Sequence, residues 1–293
     1  MAIGYTSMIF TAPAKVNLYL EVRRRREDGY HDIETVFERV SIFDEVSIAP
    51  ACGSTTIKCD DPSIPTGEKS LMARAVSVFK EKSGVREHFS IGLKKNIPVS
   101  AGMGGGSSDT ATILGGLNRI TGSPLSPDTL AAIGGSLGAD IPFFLSGSSF
   151  AYGTGRGDMV YPLSGRPEIW HVIVNPPFGV PTKDVYGKLS AFSLTKERSV
   201  DKIFSAFLRK NDIEGIAGNL RNDLQIIVLQ EFPVLKQVFS ALTEAGAKGV
   251  LLSGSGPTVF GIFDSETAKK AADDLGRAFR QEEGWRIFAV KTY

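Results

Sequence analysis

A chain of 293 residues, 42% of them hydrophobic, can bury a sizeable core, and its length favours two packed domains. Lysine and arginine number 33 against 32 aspartate and glutamate, so no global basic field exists to hold a nucleic acid or a membrane surface, and any anion site must be local. No apolar run approaches the roughly 18 residues a membrane span needs, residues 1–9 lack the zones of a signal peptide, and the expected location is the cytoplasm.

Residues 10–22 alternate as a strand, and residues 32–48, rich in β-branched and aromatic side chains, predict further strands beyond a polar turn at 23–29. Helical spacing follows over 71–82, a short strand over 89–93, then a run of small residues leading into a helix over 110–120 and another over 127–137. A strand at 170–174 stops at Asn175-Pro176-Pro177, which places a boundary near 164–167 and divides the chain into residues 1–164 and 165–293. The second part carries helical patterns at 183–189, 200–208, 225–229 and 233–245, a glycine-interrupted strand pair at 249–252 and 258–263, a helix over 266–282 and a last strand at 286–291. Strands and helices mix without strict alternation, which predicts an α+β fold, and no fixed-period repeat is present. Cys52 and Cys59, the only cysteines, have no second pair to complete a zinc site and are expected to be free thiols.

The run Ile97-Pro98-Val99-Ser100-Ala101-Gly102-Met103-Gly104-Gly105-Gly106-Ser107-Ser108-Asp109 carries the strongest chemical signal. Its glycines let backbone amides approach an anion, Ser107 and Ser108 add hydroxyl donors, and a helix N-terminus follows, so the segment reads as a phosphate cradle. A flexible linker has the same composition, but a linker has no need to lie between an extended apolar run and a helix. The Gly-Lys-Ser/Thr ending of a Walker A loop is missing, and the position is too far along the chain for the first turn of a dinucleotide fold. Charge neutralisation at a transferring phosphoryl group must then come from amides, a metal ion and a cation elsewhere.

Lys15 is the candidate cation. A period of two puts Lys15, Asn17 and Tyr19 on one strand face and Val16, Leu18 and Leu20 on the other, which equally describes a half-solvated strand with Lys15 exposed. Asp140 stands in Gly138-Ala139-Asp140-Ile141-Pro142-Phe143 among small and apolar residues, where it is either a functional carboxylate or an ordinary N-cap before a helix with proline in its first turn. Ser253-Gly254-Ser255-Gly256-Pro257 suits either close approach of a ligand or a tight hairpin. Arg23 to Arg26 form a charge run at a turn, read as a solvated tip or as long-range attraction for anions. His88 and His171 have no ligand spacing, and neither a zinc cluster nor a Ser-His-Asp arrangement is legible.

Taken in series, Pro13-Ala14-Lys15-Val16-Asn17, residues 98–108 and Leu252-Ser253-Gly254-Ser255-Gly256-Pro257-Thr258 resemble the kinase superfamily named for galactokinase, homoserine, mevalonate and phosphomevalonate kinases, over essentially the whole chain. Asp28-Gly29-Tyr30-His31-Asp32-Ile33-Glu34-Thr35-Val36-Phe37 and the segment around Asp140 are similar to the branch whose members phosphorylate 4-diphosphocytidyl-2-C-methyl-D-erythritol, a cytidine diphosphate-linked methylerythritol, on the non-mevalonate route to isoprenoids. The resemblance implies an N-terminal nucleotide-binding domain like ribosomal protein S5 domain 2 and a C-terminal substrate-contacting, ferredoxin-like α/β sandwich. It implies ATP bound by Pro98, Val99, Ser100, Ala101, Gly102, Met103, Gly104, Gly105, Gly106, Ser107 and Ser108, with Mg²⁺ entering through the nucleotide and no acidic ligand identified. Asp140 then accepts the hydroxyl proton and Lys15 steadies negative charge, in a loose transition state that needs little early deprotonation. Tyr30 is expected to stack on cytosine and His31 to read its edge, with Tyr186 as second aromatic clamp. Without the resemblance, Tyr30 packing on a sheet edge and His31 capping a hairpin fit the pattern as well. Asn17 and Thr182 are weaker candidates for the sugar or diphosphate, or for local backbone bonds. Two alternatives remain open at this point: a mevalonate- or homoserine-type kinase of a smaller alcohol, and a non-catalytic ligand- or RNA-binding protein on the same fold.

Overall fold

The computed structural model describes residues 6–164, 167–189, 200–209, 212–279 and 283–293. In chain order the elements are β1 (Met8–Arg25), β2 (His31–Ala51), β3 (Thr56–Cys59), α1 (Leu71–Ser83), β4 (His88–Lys94), α2 (Gly105–Ile120), α3 (Pro127–Leu137), α4 (Ile141–Leu145), β5 (Phe150–Thr154) and β6 (Met159–Pro162). There follow β7 (Trp170–Asn175), α5 (Thr182–Lys188), α6 (Val200–Leu208), α7 (Ile213–Ala217), β8 (Arg221–Asn222), α8 (Gln225–Glu231), α9 (Val234–Glu244), β9 (Gly249–Leu252), β10 (Val259–Phe263), α10 (Ser265–Phe279) and β11 (Arg286–Lys291).

Two sheets organise these elements, as the α+β reading requires. One has seven strands, in the order β3-β4-β2-β1-β8 with β5 and β6 joined to β2; the other has four, in the order β11-β7-β10-β9. The region expected to hold several strands over 32–48 is one long antiparallel partner of β1, because no glycine or proline interrupts its β-branched and aromatic residues from His31 to Ala49. Strand β1 likewise runs on to Arg25, so the polar turn is shorter than expected. The predicted helix over 110–120 begins five residues earlier, inside the glycine run: glycine's low helix propensity hid its first turn. The last residues expected in the helix over 266–282 lie outside the described residues, as does part of the proposed boundary at 164–167.

Helix ends follow local chemistry. Ser70 and Ser126 cap α1 and α3 through side-chain oxygens that accept from Ala73 and Thr129 amides, and Gly84 closes α1 in the left-handed region. One apolar cluster packs α1 to α4 on the larger sheet around Phe79, Phe89, Leu117 and Phe143. A second joins the two sheets through Val16, Val36, Phe150, Ile173 and Phe260, and a third lies beneath α8, α9 and α10. Burial on both faces makes the middle of β1 a central strand, and that places its polar side chains inside the molecule rather than at a solvated face.

One polar contact ties the sheets across this interior. His171 on β7 is fully buried, and its Nε2 lies 3.0 Å from Glu38 Oε2 on β2; Glu38 Oε1 accepts from Thr292 Oγ1 at 2.7 Å. His171→Ala leaves the Glu38 carboxylate without that partner and opens a cavity beside Phe260, so unfolding in denaturant should require about 2–4 kcal/mol less than for the parent chain.

Candidate active site

The glycine run is a mobile composition held at both ends by buried charge. Asp44 Oδ1 accepts the amides of Asn96 at 2.5 Å and Ile97 at 2.8 Å, where the chain leaves β4. Lys95 reaches both Asp44 and, at 2.8 Å, Asp109 on α2. Burial works against the Lys95 ammonium, but Asp109 and Asp44 outweigh it and hold its pKa above the usual lysine value. The Asp109 carboxyl is pushed upward by burial in spite of Lys95. Between these anchors the backbone turns with positive φ at Gly102 (+74°) and Gly104 (+71°), and α2 starts at Gly105 with its first-turn amides free of intrahelical acceptors. A methyl group at Gly102 would overlap the Ser253 carbonyl oxygen; one at Gly104 would meet Lys15 Cγ and Phe144 Cζ at 3.0 Å.

Those two close approaches bring the other motifs to the loop. The Lys15 amide donates to Met103 O at 3.0 Å, and Ser253 Oγ donates to Gly102 O at 2.9 Å. Asn222 on β8 donates to Leu252 O and Gly254 O at 2.8 and 2.7 Å, fixing the 253–257 turn from the far edge of β1. Lys15 is 4% exposed, which settles its open alternative: it is no solvated strand residue. Its ammonium donates to Asn17 Oδ1 at 2.6 Å and stands 3.8 Å from Asp140 Oδ2. Asn17 in turn donates to Thr35 Oγ1 at 2.8 Å, so its amide links the lysine to β2. Burial pulls the Lys15 pKa below the ordinary lysine value, opposed by the charge of Asp140.

Asp140 precedes α4 but makes no side-chain bond to the helix. Asp140 thus occupies the N-cap position before a helix with proline in its first turn, but its side chain does not cap: the carboxylate, 31% exposed, stands near Lys15. A buried cation at salt-bridge distance from a partly open carboxylate, beside unpaired amides, can hold an anion and accept a proton at adjacent points.

The aromatic residues lie in two pairs. His31 at the start of β2 and Tyr186 on α5 have ring centroids 5.3 Å apart. Burial and Arg25 depress the His31 pKa; burial, with Asp140 and Asp223, raises that of Tyr186. Tyr30, 57% exposed, carries the Arg156 guanidinium over its ring at 5.2 Å, and Arg156 is itself held by Asp158 and by Gly135 O. Thr182 Oγ1 and Ser255 Oγ are 2.8 Å apart, joining α5 to the 253–257 turn. Arg23, Arg24 and Arg26 are engaged with Glu21, Glu34, Asp28 and Asp32, the pattern of a self-neutralised turn. Arg156 and the Lys95–Asp109–Asp44 cluster were not read from the sequence; Gly155-Arg156-Gly157-Asp158, a hairpin tip with an ion pair, was the one available signal for Arg156. Among the described residues no group of His, Cys, Asp or Glu is arranged to hold a metal on its own, and no single helix is long and apolar enough to cross a membrane.

A two-sheet α+β fold with a glycine-rich helix N-terminus facing a lysine–aspartate pair is the architecture of a small-molecule kinase. Residues 70–148 match the GHMP kinases N terminal domain and residues 203–281 the GHMP kinases C terminal domain. The chain is similar over its length to the crystal structure of a Methanococcus jannaschii mevalonate kinase, at TM-score 0.75 and 15% identity, covering 98% of this chain and 99% of that one. It is 40% identical to a 4-diphosphocytidyl-2-C-methyl-D-erythritol kinase of Syntrophotalea carbinolica over 96% of this chain and 98% of that protein. It also superposes on the crystal structure of a 4-(cytidine 5'-diphospho)-2C-methyl-D-erythritol kinase at TM-score 0.80 and 34% identity, covering 98% of this chain and all (100%) of that one. The chain belongs to the 4-diphosphocytidyl-2-C-methyl-D-erythritol kinase family, and it is an ATP-dependent small-molecule kinase.

Gly102→Ala tests the junction of the two loops: the backbone must shift to admit the methyl group at positive φ. The KM for ATP should rise by about tenfold or more while the chain stays folded by circular dichroism, and an unchanged KM would show that the two loops do not need this contact.

Proposed function

We propose that this chain transfers the γ-phosphoryl group of ATP to the 2-hydroxyl of 4-diphosphocytidyl-2-C-methyl-D-erythritol, in the cytoplasm, on the non-mevalonate route to isoprenoid precursors. The observation that carries the reading is the 3.8 Å approach of Lys15 to Asp140 beside the amides that open α2. The acceptor oxygen attacks the γ-phosphorus, its proton passes to the Asp140 carboxylate, and ADP leaves. Lys15, already short of hydrogen-bond partners other than Asn17, stabilises the charge spread over the equatorial oxygens. Residues 98–108 hold the nucleotide phosphates, with Val99 exposed at the rim. In this division residues 1–164 carry ATP, and residues 165–293 lend Thr182 and Tyr186 to the acceptor.

A magnesium ion suits the same end of α2. Ser108 Oγ is buried with no hydrogen-bond partner, as is Asp109 Oδ1, and both are the hard oxygen donors such an ion takes alongside phosphate oxygens and water. Bound there with the nucleotide, it would supply further neutralisation of phosphate charge.

The ring pair of His31 and Tyr186 and the exposed face of Tyr30 favour a substrate with an aromatic base over a small unlinked alcohol, and so separate this reading from a mevalonate- or homoserine-type kinase. Retention of the buried Lys15 opposite Asp140 speaks against a binding protein without turnover. Incubation with Mg-ATP and the cytidine diphosphate-linked methylerythritol should release ADP and yield a new phosphate ester by phosphorus NMR. Preference for the unlinked alcohol, or nucleotide binding with no turnover on either, would overturn the assignment.

Two sets of variants divide the chemistry from recognition. Asp140→Asn and Lys15→Ala should each lower kcat by roughly 10²–10⁴ in the folded protein, measured by coupled ADP release. Tyr30→Ala should raise the KM for the cytidine-linked substrate by about tenfold, equivalent to the lower end of the ~1–3 kcal/mol of a base–aromatic stack, with little change in kcat.

A further inference from the structure

Asp140 sits on a weak support. Helix α4 has five residues, Asp140 makes no cap bond to it, and the stretch that precedes it, Gly138-Ala139, brings little side-chain packing of its own. A catalytic carboxylate needs placement within a fraction of an ångström, and an error of about 1 Å costs on the order of 10²-fold in rate. What fixes the far end of α4 is Arg39. Its Nη2 donates to the carbonyl oxygens of Phe143 at 3.0 Å and Phe144 at 2.5 Å, and its guanidinium lies 5.4 Å from the centre of the Phe143 ring. That ring stacks on Phe37 of β2 at 4.7 Å, so Arg39 and Phe37, two residues apart on one strand, grip the same residue of the helix.

The register gives this contact its meaning. Arg39 on β2 is the direct cross-strand partner of Lys15 on β1, and cross-strand partners project from the same face. One rung of the ladder therefore touches both ends of α4: Lys15 meets Asp140 before its first residue, and Arg39 holds the carbonyls of its last turn. Strand β2 is fixed in turn at this point, because the Arg39 amide donates to Ser149 O at 2.8 Å and its carbonyl accepts from the Tyr293 amide at 2.9 Å.

Stability alone does not account for a cation here. Arg39 is 8% exposed, its Nε has no partner, and the acceptors it finds are neutral carbonyls rather than a carboxylate. Burial lowers its pKa to about 10, which still leaves it charged at neutral pH. An apolar side chain of similar length would avoid these costs and often packs as stably or better.

We infer that Arg39 is a positioning residue that sets the Asp140 carboxylate against Lys15 and the acceptor hydroxyl by clamping α4 from its carbonyl end; the inference rests on the proposed role of Asp140. Its partner is the backbone of α4, it touches neither substrate, and its influence on rate passes through one carboxylate.

A double-mutant cycle on kcat tests this. Arg39→Met, kept folded as judged by its thermal unfolding transition, should lower kcat by about 10–100-fold and leave the KM for ATP and for the cytidine-linked substrate within about twofold. Added to Asp140→Asn, measured by single turnover at high enzyme concentration, the same change should cost less than about twofold further, because the group it positions is already gone. An unchanged kcat in Arg39→Met, or an equal fold loss with and without Asp140, would overturn the inference, the second result assigning Arg39 to the general integrity of the site. If Arg39→Met does not fold, Arg39→Lys replaces it: the ammonium stays but the fork is lost, a smaller fall in kcat with the same dependence on Asp140 is expected, and its absence is equally decisive. Near-normal turnover in Asp140→Asn by itself would remove the proposed base, and so identify failure of that assignment separately from failure of Arg39.

Discussion

A lysine ammonium buried in the middle of a sheet is the constraint on which the site depends. Removing such a charge from water costs several kcal/mol, and the neighbours of Lys15 return only part of that. Asn17 supplies one short hydrogen bond; Asp140, at 3.8 Å, supplies attraction without close contact. At an effective dielectric constant of about 20 that attraction is on the order of 4 kcal/mol, and at this separation it leaves the ammonium without a close second acceptor. An ammonium left in this state is disposed to take an anion, and Gly104, which precedes the unpaired amides of α2, lies against its stem. The lowered pKa of Lys15 is the same fact in another form.

The other features of the site follow from keeping that charge where it is. Gly104 leaves room for the stem of Lys15, and Gly254 turns the third loop to within 3.2 Å of its nitrogen, measured from the position a side chain would occupy. Bulges in the β1–β2 ladder on either side of Lys15–Asn17 re-aim these residues without ending the pairing. Chain segments more than 200 residues apart thus meet around one atom, and the contact is made rigid from outside: by Asp44 and Lys95 at the entrance of the glycine run, by Asn222 beneath the 253–257 turn, and by the Glu38–His171 pair that fixes one sheet to the other.

Most regular elements were legible because their residues follow simple periods: α1, α3, α9 and β7 are within one or two residues of where side-chain spacing puts them. The site was legible in kind and not in arrangement. Lys15 and Asp140 stood out as charges among apolar neighbours, yet nothing local distinguished a central strand from a half-solvated one; that depended on the second sheet covering β1. The start of α2 was hidden because glycines chosen for close approach are poor helix formers, so the position the function needs is the one propensity misreads. Elements as short as α4 and β8 have no period to detect, and Arg156 lies over Tyr30 only through tertiary folding.

Arg39 and Arg156 share a physical logic that also explains why they escape sequence reading. Each is an arginine whose guanidinium meets backbone carbonyls and an aromatic face at once, Phe143 for one and Tyr30 for the other. A planar cation with several donors can fix a ring and a main-chain segment together, which a lysine cannot. One of them steadies the turn that carries the carboxylate; the other steadies an exposed ring. The Asp140 carboxylate and the Tyr30 ring stand on a short helix and a turn, elements with little stability of their own, and their placement is borrowed from a buried arginine on β2 and a half-buried one at the tip of the β5–β6 hairpin. Rigidity around Asp140 and Tyr30 is therefore supplied from behind, by arginines that hold main chain and ring together.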